Sequence, residues 1–257
     1  MTEAARLDDV ARAPLAGRRA LVTGGSRGIG AGIVRRLAAD GAAVAFTYRE
    51  AKGPANSLEQ EITGSGGQAF AFQADSEDPE AVRAAVSETV DQFGGLDVLV
   101  NNAGTSHMAP IEDFPMAEYD RILAVNVRAI FAAIQAAVPH LGEGGRIISI
   151  GSVLADRAPI GNISVYALTK AAVAGLSRNL ARELGPRGIT VNTVQPGPVE
   201  TDLNPASGEF ADAVRAVTAV GHYAQPHDIS AVVAFLARAE ARFVTGATWD
   251  VDGGYAL

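Results

Sequence analysis

Cysteine is absent from all 257 residues, which removes disulfides, thiolate metal sites and any thiol nucleophile. A chain without thiols suits a reducing compartment, and a cytoplasmic location is expected. Positive charge is short as well. Against 29 Asp and Glu stand 21 Lys and Arg, a formal charge of −8, so neither nucleic acid nor an anionic membrane is expected as a partner. No apolar run is expected to span a bilayer. Residues 1–13 mix Glu3, Asp8 and Asp9 with Arg6 and Arg12 and lack the apolar stretch of a secretory signal. The four histidines, His107, His140, His222 and His227, are scattered without ligand spacing, so no metal site is expected.

What is plentiful is apolar. These residues make up 48% of the chain against 19% charged, enough for a sizeable core, and the length fits one α/β domain better than two small ones. Short apolar runs at 19–23, 43–48, 68–73, 96–101, 146–150, 190–195 and 248–251 read as strands. Helical patterns fill the gaps at 29–40, 55–63, 79–93, 117–141, 165–184 and 227–239. That alternation predicts a doubly wound, seven-stranded parallel sheet of Rossmann type with helices on both faces. Residues 1–16, closed by Pro14 and Gly17, read as a loosely ordered lead-in to a single domain over 17–257. The second half of the 117–141 helix is apolar almost all round, and so is the start of the next. Such helices need burial on two sides, the second of them against a partner subunit.

Gly24, Ser26, Arg27, Gly28, Ile29 and Gly30 lie directly after the first strand and open a helix. Glycines at this spacing allow a tight turn and close approach of the backbone to a pyrophosphate, whose charge meets the helix N-terminus. The strand–turn–helix context separates this loop from a chance run of glycines. At the end of the second strand stand Tyr48, Arg49 and Glu50. With Arg27, Arg49 gives two guanidiniums for a ribose 2′-phosphate, so NADP(H) is preferred and NAD(H) remains possible. Glu50 is the opposing signal, able to neutralise Arg49 or bind a ribose hydroxyl.

Tyr166 and Lys170, four apart in a helical segment, project from one face. A phenol with a pKa of about 10 is a poor acid or base at neutral pH, and a neighbouring ammonium favours its phenolate. Ser152 follows the fifth strand, which in a parallel sheet puts its hydroxyl at the carboxyl edge, where ligands bind. Asn126 sits mid-helix among apolar neighbours. Its buried amide must find partners, and a kinked helix holding a water is one solution.

Together these residues resemble the short-chain dehydrogenase/reductase family in its compact single-domain form, from about Gly17 to Leu257. The resemblance rests on the glycine loop, Asn101-Asn102-Ala103-Gly104, Asn126, Ser152, Tyr166 with Lys170, Pro196-Gly197 with Thr201, and Asp252-Gly253-Gly254. Each motif alone is common; their conjunction is specific. It implies a hydride transfer in which Tyr166 is the acid/base and Ser152 holds the substrate oxygen. Lys170 would lower the Tyr166 pKa and hold the nicotinamide ribose, while Asn126 anchors a water that relays protons from Lys170. It also puts Asp75 and Ser76 at the adenine, Asn102, Ala103 and Gly104 along the adenosine, and Pro196, Gly197, Val199 and Thr201 around the nicotinamide. A homotetramer is implied, paired through the 117–141 and 165–184 helices.

The substrate is less legible. Loops 105–113, 153–163 and 198–223 should build its pocket. Leu203, Phe210, Val214 and Val217 either roof it or pack a short helix on the body. A carrier-protein substrate would ask for a basic entrance, and none stands out, so a small or medium free ketone is expected, with a 3-oxoacyl thioester as the alternative. A non-catalytic NADP(H) sensor would show a damaged catalytic set. A nucleotide-sugar epimerase or dehydratase would need a further C-terminal region, and a scaffold role rests on the apolar helices alone.

Overall fold

The computed structural model of the protein describes residues 13–257. The apolar runs extend as β1 (Arg19–Val22), β2 (Ala43–Tyr48), β3 (Gln68–Gln73), β4 (Val98–Asn101), β5 (Arg146–Ile150), β6 (Thr190–Pro196) and β7 (Thr248–Val251). All pair in parallel in one seven-stranded sheet of order β3-β2-β1-β4-β5-β6-β7, the Rossmann-type arrangement that the alternation predicts.

The helices are α1 (Gly28–Ala39), α2 (Lys52–Gly64), α3 (Pro79–Phe93), α4 (Met116–Leu123), α5 (Ala129–Ala137), α6 (Ser164–Leu184), α7 (Glu209–Val217) and α8 (Pro226–Ala237). Their starts follow local chemistry. The Asp78 carboxylate accepts the Glu80 N–H at 2.9 Å ahead of α3, and Pro79 takes a first-turn position that has no intrahelical donor to lose. Gln225 and Asp228 cap α8 reciprocally around Pro226.

Alternate strand residues feed two cores. Ala20, Val22, Val44 and Phe46 meet α1, α2 and α8 on one face; Leu21, Ala45 and Leu99 meet α3, α5 and α6 on the other. Each large apolar side chain buried this way contributes roughly 1.5–3 kcal/mol. From β1 the chain winds outward to β2, whereas β4 leads the opposite way to β5. The carboxyl ends of β1 and β4 therefore open a crevice, the place where sheets of this kind bind ligands.

Three expectations change. Residues 1–12 of the lead-in lie outside the described residues, but its last part belongs to the body. Leu15 is 1% exposed in the core, and its N–H donates to the Asp40 carbonyl at 2.8 Å. The 117–141 helix is α4 and α5 joined by a π-turn at Ala124–Arg128, then a 3₁₀ turn at Val138–His140 that accommodates Pro139. By length and mean hydropathy (1.7) Met116–His140 is apolar enough to cross a membrane, contrary to the sequence reading. Here α5 is packed on β4, α3 and the π-turn on α6, as a core helix would be. The loop after β6 contains a short helix, α7, as the sequence reading allowed.

Candidate active site

The glycine loop is pinned from both neighbouring strands by short side chains. Thr23 Oγ1 accepts the N–H groups of Asn102 at 3.0 Å and Ala103 at 3.1 Å. Asn102 returns its amide N–H groups to the carbonyls of Thr23 and Gly24, each at 3.0 Å. From β2, Thr47 Oγ1 accepts the Gly24 N–H at 2.9 Å, and the Thr47 carbonyl accepts that of Gly25 at 2.8 Å. A Cβ on Gly30 would fall 2.2 Å from the Gly24 carbonyl oxygen, so no other residue allows this closure of loop on helix. The loop is thus a rigid backbone cradle at the N-terminus of α1, of the kind that fits a pyrophosphate. Thr23, which opens the glycine motif, and Thr47, which the sequence reading passed over, are its braces; a hydroxyl at a strand's carboxyl end was the available signal.

Ser26, Arg27 and Gly28 face a depression shared with Ser57 and Thr201. The Thr201 methyl lies 3.3 Å from where a Gly28 Cβ would be, so the segment after β6 folds back onto the loop. Within that segment Thr201 and Asn204 exchange backbone hydrogen bonds, at 3.3 and 3.0 Å. Val199, expected among the cofactor contacts, is buried in the core beneath, so only its backbone is free to meet a ligand. Ile29 likewise packs against the core.

Arg49 is paired as the opposing signal suggested. Its Nε lies 3.1 Å from Glu50 Oε1, and Nη1 lies 3.9 Å from Glu77 Oε1. All three side chains are well exposed, and such pairs are worth at most about 1 kcal/mol, little obstacle to a phosphate. Asp75 Oδ1 accepts the Glu77 N–H at 2.9 Å, which shapes the turn holding Ser76.

The catalytic candidates gather at the same edge. Ser152 follows β5, and its Oγ accepts the Leu154 N–H at 3.2 Å, capping a 3₁₀ turn at Val153–Ala155. Burial raises the pKa of the Tyr166 phenol, and the Ser152 hydroxyl beside it pulls it back in part. Lys170 Nζ lies 5.4 Å from the Tyr166 ring centroid and donates to the Ile150 carbonyl at 2.8 Å. Burial pushes this ammonium down to about 8, because no carboxylate compensates its desolvation. A Cβ on Gly104 would lie 3.6 Å from both Lys170 Nζ and Asn126 Oδ1, so the segment after β4 runs close beside both side chains.

Asn126 is fully buried inside the π-turn. Its Oδ1 accepts the Thr105 N–H at 2.9 Å, and its Nδ2 donates to the Thr105 carbonyl at 2.9 Å and to Thr169 Oγ1 at 3.1 Å. This side chain, at the residue expected to anchor a relay water, stitches the loop after β4 to α6. Among the described residues no three His, Asp or Glu side chains gather as metal ligands do.

The mouth is looser. Ala211, Val214 and Tyr223 form a small core under α7, with Ala206 and Tyr255 packed on it. Leu203, Phe210 and Val217 point outward. The packing reading of this loop holds for Val214, which packs the helix, while the other three stay exposed.

Comparison with known proteins agrees with this geometry. The family model described as Enoyl-(Acyl carrier protein) reductase matches residues 24–256. A "Cyclic-di-GMP-binding biofilm dispersal mediator protein" of Escherichia coli is 45% identical over 239 residues, covering 93% of this chain and 97% of that protein. A 3-oxoacyl-(acyl-carrier-protein) reductase, FabG, of Staphylococcus aureus is 40% identical over 240 residues, 92% of this chain and 97% of its own length. Among solved structures, a short chain dehydrogenase from Burkholderia cenocepacia in complex with NADP is 52% identical. It covers 95% of this chain and 100% of its own, with a TM-score of 0.93. With the sheet, the glycine cradle and the Ser152–Tyr166–Lys170 cluster, these likenesses lead to one conclusion: the chain belongs to the short-chain dehydrogenase/reductase family of oxidoreductases.

Proposed function

We propose that the protein is an NADP(H)-preferring oxidoreductase that interconverts a ketone and a secondary alcohol, with Tyr166 as its acid and base. The observation that carries this is the convergence of Ser152, Tyr166 and Lys170 at the sheet edge that also bears the glycine cradle. NADP(H), when bound, supplies or accepts the hydride. Ser152 and Tyr166 present two hydroxyls to one carbonyl oxygen, polarising it and fixing its place. Because burial raises the phenol's pKa, Tyr166 is protonated at neutral pH and is an acid ready for reduction. Oxidation needs the phenolate, which the neighbouring Lys170 ammonium favours.

The cradle of Gly24, Ser26, Gly28, Ile29 and Gly30 fits the pyrophosphate. Arg27 and Arg49 would hold the 2′-phosphate, a choice supported by the NADP complex of the Burkholderia relative. Asp75 and Ser76 would take the adenine, Asn102, Ala103 and Gly104 the adenosine, Lys170 the nicotinamide ribose, and Pro196, Gly197, Thr201 and the Val199 backbone the nicotinamide.

The α4–α6 surface supports self-association into a homotetramer. A groove of about 750 Å³ runs between these helices past Tyr119, Leu123 and Leu176, and Phe131 and Leu168 are each 51% exposed. A stable, active monomer in light scattering overturns this.

The test is initial rates with NADPH and NADH against aliphatic, cyclic and aryl ketones, β-keto esters and an acetoacetyl thioester, with Tyr166→Phe as the blank. Turnover of free ketones with NADPH supports the reading. Turnover of the thioester alone moves the protein to acyl-chain reduction, the reading favoured by the Staphylococcus relative. Wild type equal to the blank throughout would favour a cofactor sensor, toward which the name of the Escherichia relative leans. The complete catalytic set argues against that.

A further inference from the structure

The segment after β7 touches two of the loops expected to hold substrate. Asp252 folds it, its carboxylate accepting the N–H groups of Gly254 at 2.9 Å and Ala256 at 2.8 Å. On one side the fold lies against the 198–223 segment that carries α7, the lid of the expected substrate pocket. The Val220 N–H donates to the Gly253 carbonyl at 3.1 Å, and Tyr255 packs on the small core beneath α7. Gly254, at φ +76°, sits so close that a Cβ there would lie 2.7 Å from Ala219 Cβ. On the other side, Arg157 Nε donates to the Ala256 carbonyl at 3.0 Å. Arg157 belongs to the loop that begins at Ser152. Its neighbour Asp156 accepts Gln195 Nε2 from β6 at 2.9 Å, and farther along the same loop the Asn162 carbonyl accepts the Ala109 N–H at 3.0 Å. The three loops are thus linked to one another, and the lid reaches the Ser152 loop through residues 252–257.

We propose that this segment is a strut that sets the spacing between α7 and the Ser152 loop, and that Arg157 is a positioning residue acting through it. The proposal rests on the carbonyl-reduction reading for its effect on rate. A substrate is gripped between lid and loop only while that spacing is fixed, so a loosened strut weakens substrate binding ahead of the chemistry at Ser152 and Tyr166. The cofactor cradle, braced by Thr23, Thr47 and Asn102, does not depend on the strut.

Arg157→Leu removes the donor; Arg157→Lys restores one. Losing this charge-assisted bond should raise the ketone KM roughly tenfold, with kcat within about twofold and the NADPH KM unchanged. Arg157→Lys should recover most of that loss. Hydrogen–deuterium exchange provides a readout independent of turnover: Arg157→Leu should speed exchange at Leu154 and also across Glu209–Val217, and Tyr255→Ala should do the same from the lid end. Unchanged KM and exchange overturn the proposal. So does a parallel rise in the KM for NADPH with a fall in Tm, which is the pattern of general destabilisation. If wild type reduces no carbonyl, the functional reading fails while exchange still decides whether the strut exists.

Discussion

The cofactor cradle and the substrate mouth share one sheet edge but are built on different terms. The cradle is backbone held by Thr23, Thr47 and Asn102, with both main cores directly beneath it. The mouth is three loops, one of them packed on a core of only three buried residues, with Leu203 75% exposed at its rim. A cradle for a pyrophosphate serves one ligand shape and tolerates almost no change. A rim of exposed side chains can be altered without disturbing the fold beneath, so substrate choice is free to vary where cofactor choice is not.

Four experiments sharpen or break that contrast. Tyr166→Phe removes the proton carrier and should lower kcat by about 10³-fold or more while cofactor affinity, read by quenching of Trp249 or NADPH fluorescence, stays within about twofold. Equal losses in both would deny the separation. Gly30→Ala forces a Cβ against the Gly24 carbonyl and should weaken NADPH binding about 100-fold, an effect on the cradle that no single rim substitution matches.

Lys170 predicts a pH dependence. Its pKa is 10.5 in the unfolded chain and about 8 in the folded one, so the unfolded state binds more protons between those values and stability should rise with pH across that window. Below pH 8 the full penalty is felt, on the order of 3 kcal/mol. Lys170→Met should therefore unfold at higher urea than wild type at pH 7, with the gap narrowing by pH 10; a constant gap denies the assignment. The smallest effect is expected from Leu203→Ser, which should raise the KM of the bulkier ketones roughly threefold and leave NADPH binding unaltered, as measured by competitive titration.

The same contrast explains what the sequence disclosed. The strands were legible because central parallel strands are near-continuous apolar runs. Ser152, Tyr166 and Lys170 were legible because topology puts strand ends and one helix face at a common edge. The π-turn was not, since one extra residue in a turn leaves apolar periodicity almost unchanged, and only Asn126 among apolar neighbours marked the place. Leu15 was hidden by Pro14 and Gly17, which read as breakers although the leucine between them is core. The Arg157 contact had no local signal, because its partner, Ala256, is 99 residues away.

The strand order also sets a timetable. Parallel pairing has to wait for its partner, and Leu21 meets Leu99 only after the chain has traversed β2 and β3. Every brace of the cradle lies at or before Asn102, whereas Trp249 joins Val194 at the opposite margin of the sheet, after the lid has been laid down. A nascent chain should thus acquire a place for the pyrophosphate of its coenzyme well before a place for its substrate. Pulse-labelled refolding that protects residues 20–22 and 44–46 no earlier than 249–251 would contradict that sequence of events.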